Sequence, residues 1–423
     1  MFARVSRAGL LVVLAACGPA PAEPTTTEGG STSGEPGTTV DDAGTTVTTT
    51  SPIPDPTTEA GTTTTISTTT DDPRPNPSTV TGPDTTTGGR DCAVVEFADA
   101  NLEKKVRAVL GLPEGPIPGN VLAALPQLGM QKMNTGPIVD LGGLECATGL
   151  TSLGLLGYSE LGDAGVAPLA ALTSLESLRL TGTAITSPAP LAGLTQLQDL
   201  ELYDSVFTDL SPLAGLTGLR RLVLGETPVA DLAPLAGLVA LEELNLESTL
   251  VTDLSPLAGL TALRVLDAGK TPVADLSPLA GLVAMEELSL DKTAITDLGP
   301  LAGMSALRVL GIWTTAIADL SPLTGLPIHE LSAASCQISD LAPVATWPTP
   351  GFFSLDDNQI TSIAPLLATD WLVDEFGCGI VSLTGNPLSA QAELDAITLC
   401  DTTLVRVDAG DLMCGGTPGC FMP

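Results

Sequence analysis

Few side chains in this sequence could do chemistry, and their spacing limits which chemistry is open to them. The single histidine, His329, stands beside Glu330. Acyl transfer needs a histidine that meets both a nucleophile and an orienting carboxylate. No nucleophile elbow, phosphate loop or His-Glu-x-x-His pair occurs in the chain, so His329 reads as a surface residue. Carboxylates are abundant, 49 against 16 Lys and Arg, and one row of them is periodic: Asp209, Asp231, Asp253, Asp275, Asp297, Asp319 and Asp340. Such a row supplies roughly one ligand per period where calcium takes about six to eight oxygens. Each aspartate is therefore read as capping its own turn through the backbone. A glycosidase would need two carboxyls in a deep pocket, one of them with a raised pKa. No catalytic residue, metal ligand or cofactor is assigned, and the chain is not expected to be an enzyme.

The eight cysteines fall into separate roles. Residues 1–17 run from a basic start through a short apolar stretch to Ala15-Ala16-Cys17, a secretory signal too short to remain as a membrane span. Leu14-Ala15-Ala16-Cys17 resembles a bacterial lipobox, which implies lipidation of Cys17 and a membrane anchor at that residue. Gly18 gives no signal for inner-membrane retention, so the expected location is the bacterial cell envelope, at the outer membrane or the cell surface. Residues 18–90 are rich in Thr, Pro, Gly and Ser, with too few apolar side chains to offset the entropy of ordering. A disordered stalk is expected there, spanning about 50 Å on average.

What must position any functional side chain is a repeat. Equivalent leucines lie at Leu180, Leu202, Leu224, Leu246 and Leu290, with Ala268 and Ile312 in the same slot, which gives a unit of 22 residues. A fixed period of this length marks a solenoid. Each unit carries Leu-x-Leu, then Thr and a branched residue, as in Leu246…Thr249-x-Val251, and this predicts one short strand per unit. Ser211-Pro212, Ser255-Pro256, Ser277-Pro278 and Ser321-Pro322 set a capping hydroxyl before a proline. Only a few residues then remain before the next strand, so a single 3-10 turn is predicted on the convex side. Aromatic residues make up 3% of 423, fewer than a compact domain of that size would use. Stacked coils need none, because each fully buried Leu contributes about 1.5–3 kcal/mol.

The pattern resembles the leucine-rich repeat, L-x-x-L-x-L-x-x-N/C-x-L, and the unit Asp-Leu-Ser-Pro-Leu-Ala-Gly-Leu is most similar to the internalin-type subfamily. The resemblance covers roughly two thirds of the chain. It implies an α/β-class solenoid with a parallel β-sheet on the concave face, 3-10 turns on the convex face and a small helical N-terminal cap. One departure stands out: the ladder position is Thr in most units (Thr183, Thr227, Thr249, Thr271, Thr293, Thr315), Ser205 in one, and Cys336 and Asn358 in two late ones. A hydroxyl can satisfy a buried carbonyl there but offers fewer bonds than an Asn amide, and Cys336 reads as a buried ladder residue. The run from Phe97 to Ile117 resembles the internalin-like helical cap. Asp99 would cap a helix with Leu102, Val106, Val109 and Leu110 on one face, and a second helix would lie near Asn120–Leu125. Within that resemblance Cys92–Cys146 is the favoured disulfide, sealing the cap onto the rod. The divisions expected are 1–17, 18–90, 91–150 for the cap, 151–388 for the repeats and 389–423 for a C-terminal cap opening at Ser389. Cys378, Cys400, Cys414 and Cys420 allow three pairings among which the sequence does not choose; Cys378–Cys400 with Cys414–Cys420 is favoured.

Alternation along a strand puts three columns of variable residues on the concave face. They supply the candidate ligand-binding residues Arg179, Asp199, Glu201, Tyr203, Arg221, Glu243, Glu247, Asp267, Glu287, Asp291, Trp313 and Phe352. Tyr203 and Trp313 flank Glu247 and Asp291, and exposed aromatics are the residues most enriched at binding hot spots. A net charge of −33 without Lys/Arg clusters excludes nucleic acid as a partner. The expected function is non-catalytic adhesion or recognition of a protein or glycan by a lipid-anchored surface protein. The alternative is an envelope-associated scaffold without a specific ligand.

Overall fold

The computed structural model describes residues 92–348, 351–369, 379–402, 405–410 and 412–414. The leader, Cys17, the stalk, Cys378, Cys420 and most of the expected insertion at 371–379 lie outside them.

The described chain opens with β1 (Val94–Val95), antiparallel to β2 (Ile117–Pro118). Between them runs α1 (Ala100–Leu110), and α2 (Gly119–Ala123) follows. Asp99 caps α1: its Oδ1 accepts the N–H groups of Asn101 (2.8 Å) and Leu102 (3.2 Å), while its Oδ2 accepts Val139 N–H at 3.0 Å and ties the helix to the approach to the coils. Leu102 and Val106 are fully buried and Leu110 packs against the core, but Val109, expected on the same face, is 45% exposed, because at about 100° per residue it falls on the edge of the stripe opposite Leu110. Cys92 and Cys146 form the expected disulfide.

The coils follow. The sheet runs β3 (Gln127–Gln131), β4 (Ser152–Leu156), β5 (Ser177–Thr181), β6 (Asp199–Glu201), β7 (Arg221–Val223), β8 (Glu243–Asn245), β9 (Val265–Asp267), β10 (Glu287–Ser289), β11 (Val309–Gly311), β12 (Glu330–Ser332), β13 (Phe352–Ser354), β14 (Gly379–Ser382) and β15 (Val405–Ala409). All are parallel and in sequence order, and only β16 (Leu412–Cys414) turns back antiparallel. Leu180, Leu202, Leu224, Leu246, Ala268, Leu290 and Ile312 form one aligned row, each at most 1% exposed. The irregular first repeat holds α4 (Asp163–Val166), after α3 (Lys132–Thr135) in the cap. At the far end α5 (Ala390–Thr402) starts as expected, with Ser389 Oγ accepting the N–H of Ala392. Cys400 is disulfide-bonded, and the pairing expected for it falls on Cys378, outside the described residues.

Opposite the strands stand 3-10 turns such as Ser211–Leu213 and Ser255–Leu257. Their caps differ from expectation: the serine is the first residue of the turn and its hydroxyl caps nothing. The aspartate two residues earlier does the work instead. Oδ1 of Asp209, Asp231, Asp253, Asp275, Asp297, Asp319 and Asp340 accepts the N–H two residues on, at 2.7–2.8 Å. It does so equally where Ala233 or Gly299 replaces the serine, which shows that the carboxylate is the required group.

The ladder closes the strands. Oγ1 of Thr227, Thr249, Thr271, Thr293 and Thr315 donates to the carbonyl three residues back. Asn358 does more, since Nδ2 reaches the carbonyls of Ala333, Leu355 and Asp356 while Oδ1 accepts Ile338 N–H. Cys336 is buried, its thiol donating to Ile312 O at 3.1 Å. The residue before each ladder position sits at positive φ, from Asp204 (55°) through Thr314 (57°) to Asp357 (54°).

Candidate binding face

Backbone pairing fixes the face. In the first column Asp199 pairs with Arg221, Arg221 with Glu243, Glu243 with Val265 and Val265 with Glu287, and the register carries on to Phe352. In the second column Arg179, Glu201, Val223, Asn245 and Asp267 align. The third column follows from the main-chain bonds of Asp204 to Gly225, Glu226 to Glu247, Ser248 to Gly269, Lys270 to Asp291 and Lys292 to Trp313. All twelve candidate residues thus share one surface, and eight of the charged ones gather into two groups, with Glu287 outside both.

The first group surrounds Arg221. Its guanidinium lies 2.8 Å from Asp199, 3.5 Å from Glu201 and 3.4 Å from Glu243, and Arg179 adds contacts to Asp199 (3.4 Å) and Glu201 (3.8 Å). Here the face is largely self-neutralised. Burial pushes the Glu243 carboxyl up, with Arg221 pulling against it.

The second group is acidic. Asp267 belongs to the face yet is only 8% exposed, held by Gly269 N–H (3.0 Å) and Asn245 Nδ2 (3.2 Å). In the next coil Asp291 Oδ1 accepts the N–H of Trp313 at 2.7 Å. Burial pushes the Asp267 carboxyl up and that of Asp291 up to about 6, each with Glu247 adding repulsion. Lys270 holds Glu247 at 2.6 Å, and Lys292 Nζ sits 4.2 Å from the centre of the Trp313 ring, a cation–π contact. Glycine keeps the floor low: a Cβ on Gly225 would come within 2.9 Å of the Tyr203 ring, and one on Gly311 within 2.9 Å of Asp291. Burial, followed by the Glu226 carboxylate, raises the Tyr203 phenol.

Tyr203 and Trp313 stand five coils apart, about 24 Å at ~4.8 Å per coil, so they bracket the acidic group rather than meet. Phe352 lies half-buried two coils beyond Trp313. His329 is half-buried at the sheet margin, with Nδ1 3.8 Å from Glu330.

One feature escaped the sequence reading. The repeats alternate: Arg220, Arg264 and Arg308 share a position with Glu242 and Glu286. Arg220 pairs with Glu242, and Arg264 with Glu286 at 2.7 Å, so the margin of the sheet is a neutral charge ladder. In the first column the acids Asp199, Glu243 and Glu287 sit on alternate strands β6, β8 and β10, while Asp267 of the second column is on β9, and two exposed aliphatics, Val206 and Leu250, lie beyond β6 and β8. The signal for this is a 44-residue period, visible only when two units are read together.

No protein-family model matches the chain, and no curated protein matches it by sequence. Solved structures do. An internalin of Listeria monocytogenes is similar over 75% of this chain and 96% of its own, with 27% identity and a TM-score of 0.61. A leucine-rich-repeat protein of Leptospira interrogans shares the fold over 68% of this chain and 92% of its own, at 17% identity and a TM-score of 0.54. Solenoids of this kind build extended concave surfaces suited to binding. The stacked strands, the ladder and these neighbours together make the described chain a leucine-rich-repeat solenoid of 22-residue, internalin-type repeats.

Proposed function

We propose that this is a non-catalytic recognition protein whose concave face, between Tyr203 and Trp313, holds a cationic surface of a partner protein. The observation that carries the reading is the group Glu247–Asp267–Asp291. Its carboxylates are crowded on adjacent coils, two of them desolvated, with Lys270 as the near cation. A partner's Lys or Arg relieves that repulsion, while Tyr203 and Trp313 supply contact area on either side. Lipidation at Cys17 and the residues that follow would hold this face away from the bacterial envelope. A glycan ligand is the less favoured version, and the scaffold alternative draws on the internal pairing around Arg221.

The test is proximity labelling from the anchored protein at the surface of the source cell, with wild type beside Tyr203→Ala/Trp313→Ala. The reading expects specific labelled proteins that disappear in the double variant and at raised salt. An identical set in both would leave the scaffold. Palmitate labelling that is lost in Cys17→Ser tests the anchor separately.

A further inference from the structure

Eight non-glycine residues among those described hold positive φ, each one beyond the third column, in successive coils from Asp204 to Asp357; six are acids or hydroxyls and two are lysines, Lys270 and Lys292. A lysine on so acidic a face is expected to pair with the nearest carboxylate. Lys270 meets that expectation, with Nζ 2.6 Å from Glu247 in the coil before. Lys292 does not. It follows Asp291 directly, yet its Nζ reaches into the next coil and lies 4.2 Å from the centre of the Trp313 ring. The main chain fixes the arrangement: Lys292 N–H donates to Trp313 O and Trp313 N–H donates to Asp291 Oδ1, each at 2.7 Å. Trp347 is only 2% exposed and its Nε1 donates to Leu323 O, whereas Trp313 is 38% exposed, so among the described residues Trp313 is the tryptophan presented to solvent.

We infer that Lys292 is a tethered stand-in for an arginine of the partner protein: binding displaces its ammonium from Trp313 and seats the partner's guanidinium on the ring. The inference rests on the reading of a cationic partner above and deepens it, by naming the cation and the residue that competes with it. Displacement costs little, because Lys292 is exposed, its freed ammonium returns to water and its long side chain regains rotamer freedom. A partner lysine would only exchange one ammonium for another and gain nothing at the ring. A guanidinium does gain, since it is planar, stacks on an indole and is more weakly hydrated than an ammonium. Stacked on Trp313 it also keeps N–H donors at its edge, and the neighbouring side chain of the same column is the Asp291 carboxylate. With Lys292 in place, the face therefore favours arginine-bearing partners over lysine-bearing ones.

The experiment titrates the purified chain at low salt with two fluorescein-labelled peptides of the same length and spacing, one with arginine and the other with lysine as its only cations, and reads anisotropy. The arginine peptide is expected to bind wild type about two- to fivefold tighter, the range of an exposed cation–π contact. Trp313→Ala should remove that preference. Lys292→Met keeps the apolar stem and removes the ammonium, and it should tighten the arginine peptide by a further factor of about two to five. The same substitution in a Trp313→Ala background should do clearly less, because only the lost charge remains. An equal gain from Lys292→Met in both backgrounds would show that Lys292 acts by charge alone and overturn the stand-in. Equal affinity of the two peptides for wild type would overturn the guanidinium and leave the cationic-partner reading in place. Binding of neither peptide, to wild type or to Lys292→Met, would overturn both. Because Lys292 and Trp313 are exposed, unchanged circular dichroism and melting temperature separate lost contacts from lost fold.

Discussion

The main-chain N–H of Trp313 donates to Oδ1 of Asp291 in the preceding coil, at 2.7 Å. The exposed aromatic and the half-buried carboxylate are thus mechanically one unit. Asp291 titrates near 6 in the fold against 3.8 as a free side chain, chiefly through burial. The folded state therefore binds the proton more tightly, and stability contributed by this group falls as pH rises from about 4 to about 6. Asn in its place keeps the acceptor for Trp313 and removes the charge. Asp291→Asn is expected to be more stable at pH 7 by about 2–3 kcal/mol, with the gap closing toward pH 4. Urea melts of both proteins across that range check it, and a gap independent of pH would rule it out.

The ladder should respond in proportion to the bonds each member makes. Thr249→Val leaves the Leu246 carbonyl without its hydroxyl partner, at a cost of about 1–3 kcal/mol. Asn358→Ala strips three carbonyls and the Ile338 N–H at once and should destabilise by more, about 3 kcal/mol or above. Equal losses in thermal denaturation would mean that the amide's extra bonds contribute nothing.

Thr314 is a β-branched residue held at φ 57°, in the left-handed region. Thr314→Gly removes that strain and should stabilise by up to about 1 kcal/mol, net of glycine's own entropy. Ala316→Gly, two residues on and outside the positive-φ set, should destabilise by roughly 0.5–1 kcal/mol. If both substitutions shift the melting temperature in the same direction, the strain argument fails.

The Cys92–Cys146 bridge closes a separation of 54 residues between the cap and the first coils. Cys92→Ser/Cys146→Ser is expected to lower stability by about 4 kcal/mol, within the usual 2–5. Hydrogen exchange should report the loss first in α1 and β3, ahead of β8–β11. Uniform loss along the whole rod would show that the cap and coils melt as one body.

Much of this was legible in the residues because it is either local or periodic. The spacing of Leu180, Leu202 and Leu224 requires stacking, the ladder threonines mark the turn out of each strand, and Asp99 announces its helix two residues before Asn101. The role of the Asp209–Asp340 row was also readable, since each carboxylate needs nothing beyond its own turn. The serine before each proline was misread, because a cap depends on which residue actually begins the turn, and that is set by how the coil closes. Tertiary structure alone decided that Asp267 is buried while Glu243 on the adjacent strand is half-exposed. It also decided that Arg221 serves three acids and that Asp291 supports Trp313. Those partners lie 20 residues or more apart in the chain, and they meet only when coils stack a few ångströms from each other.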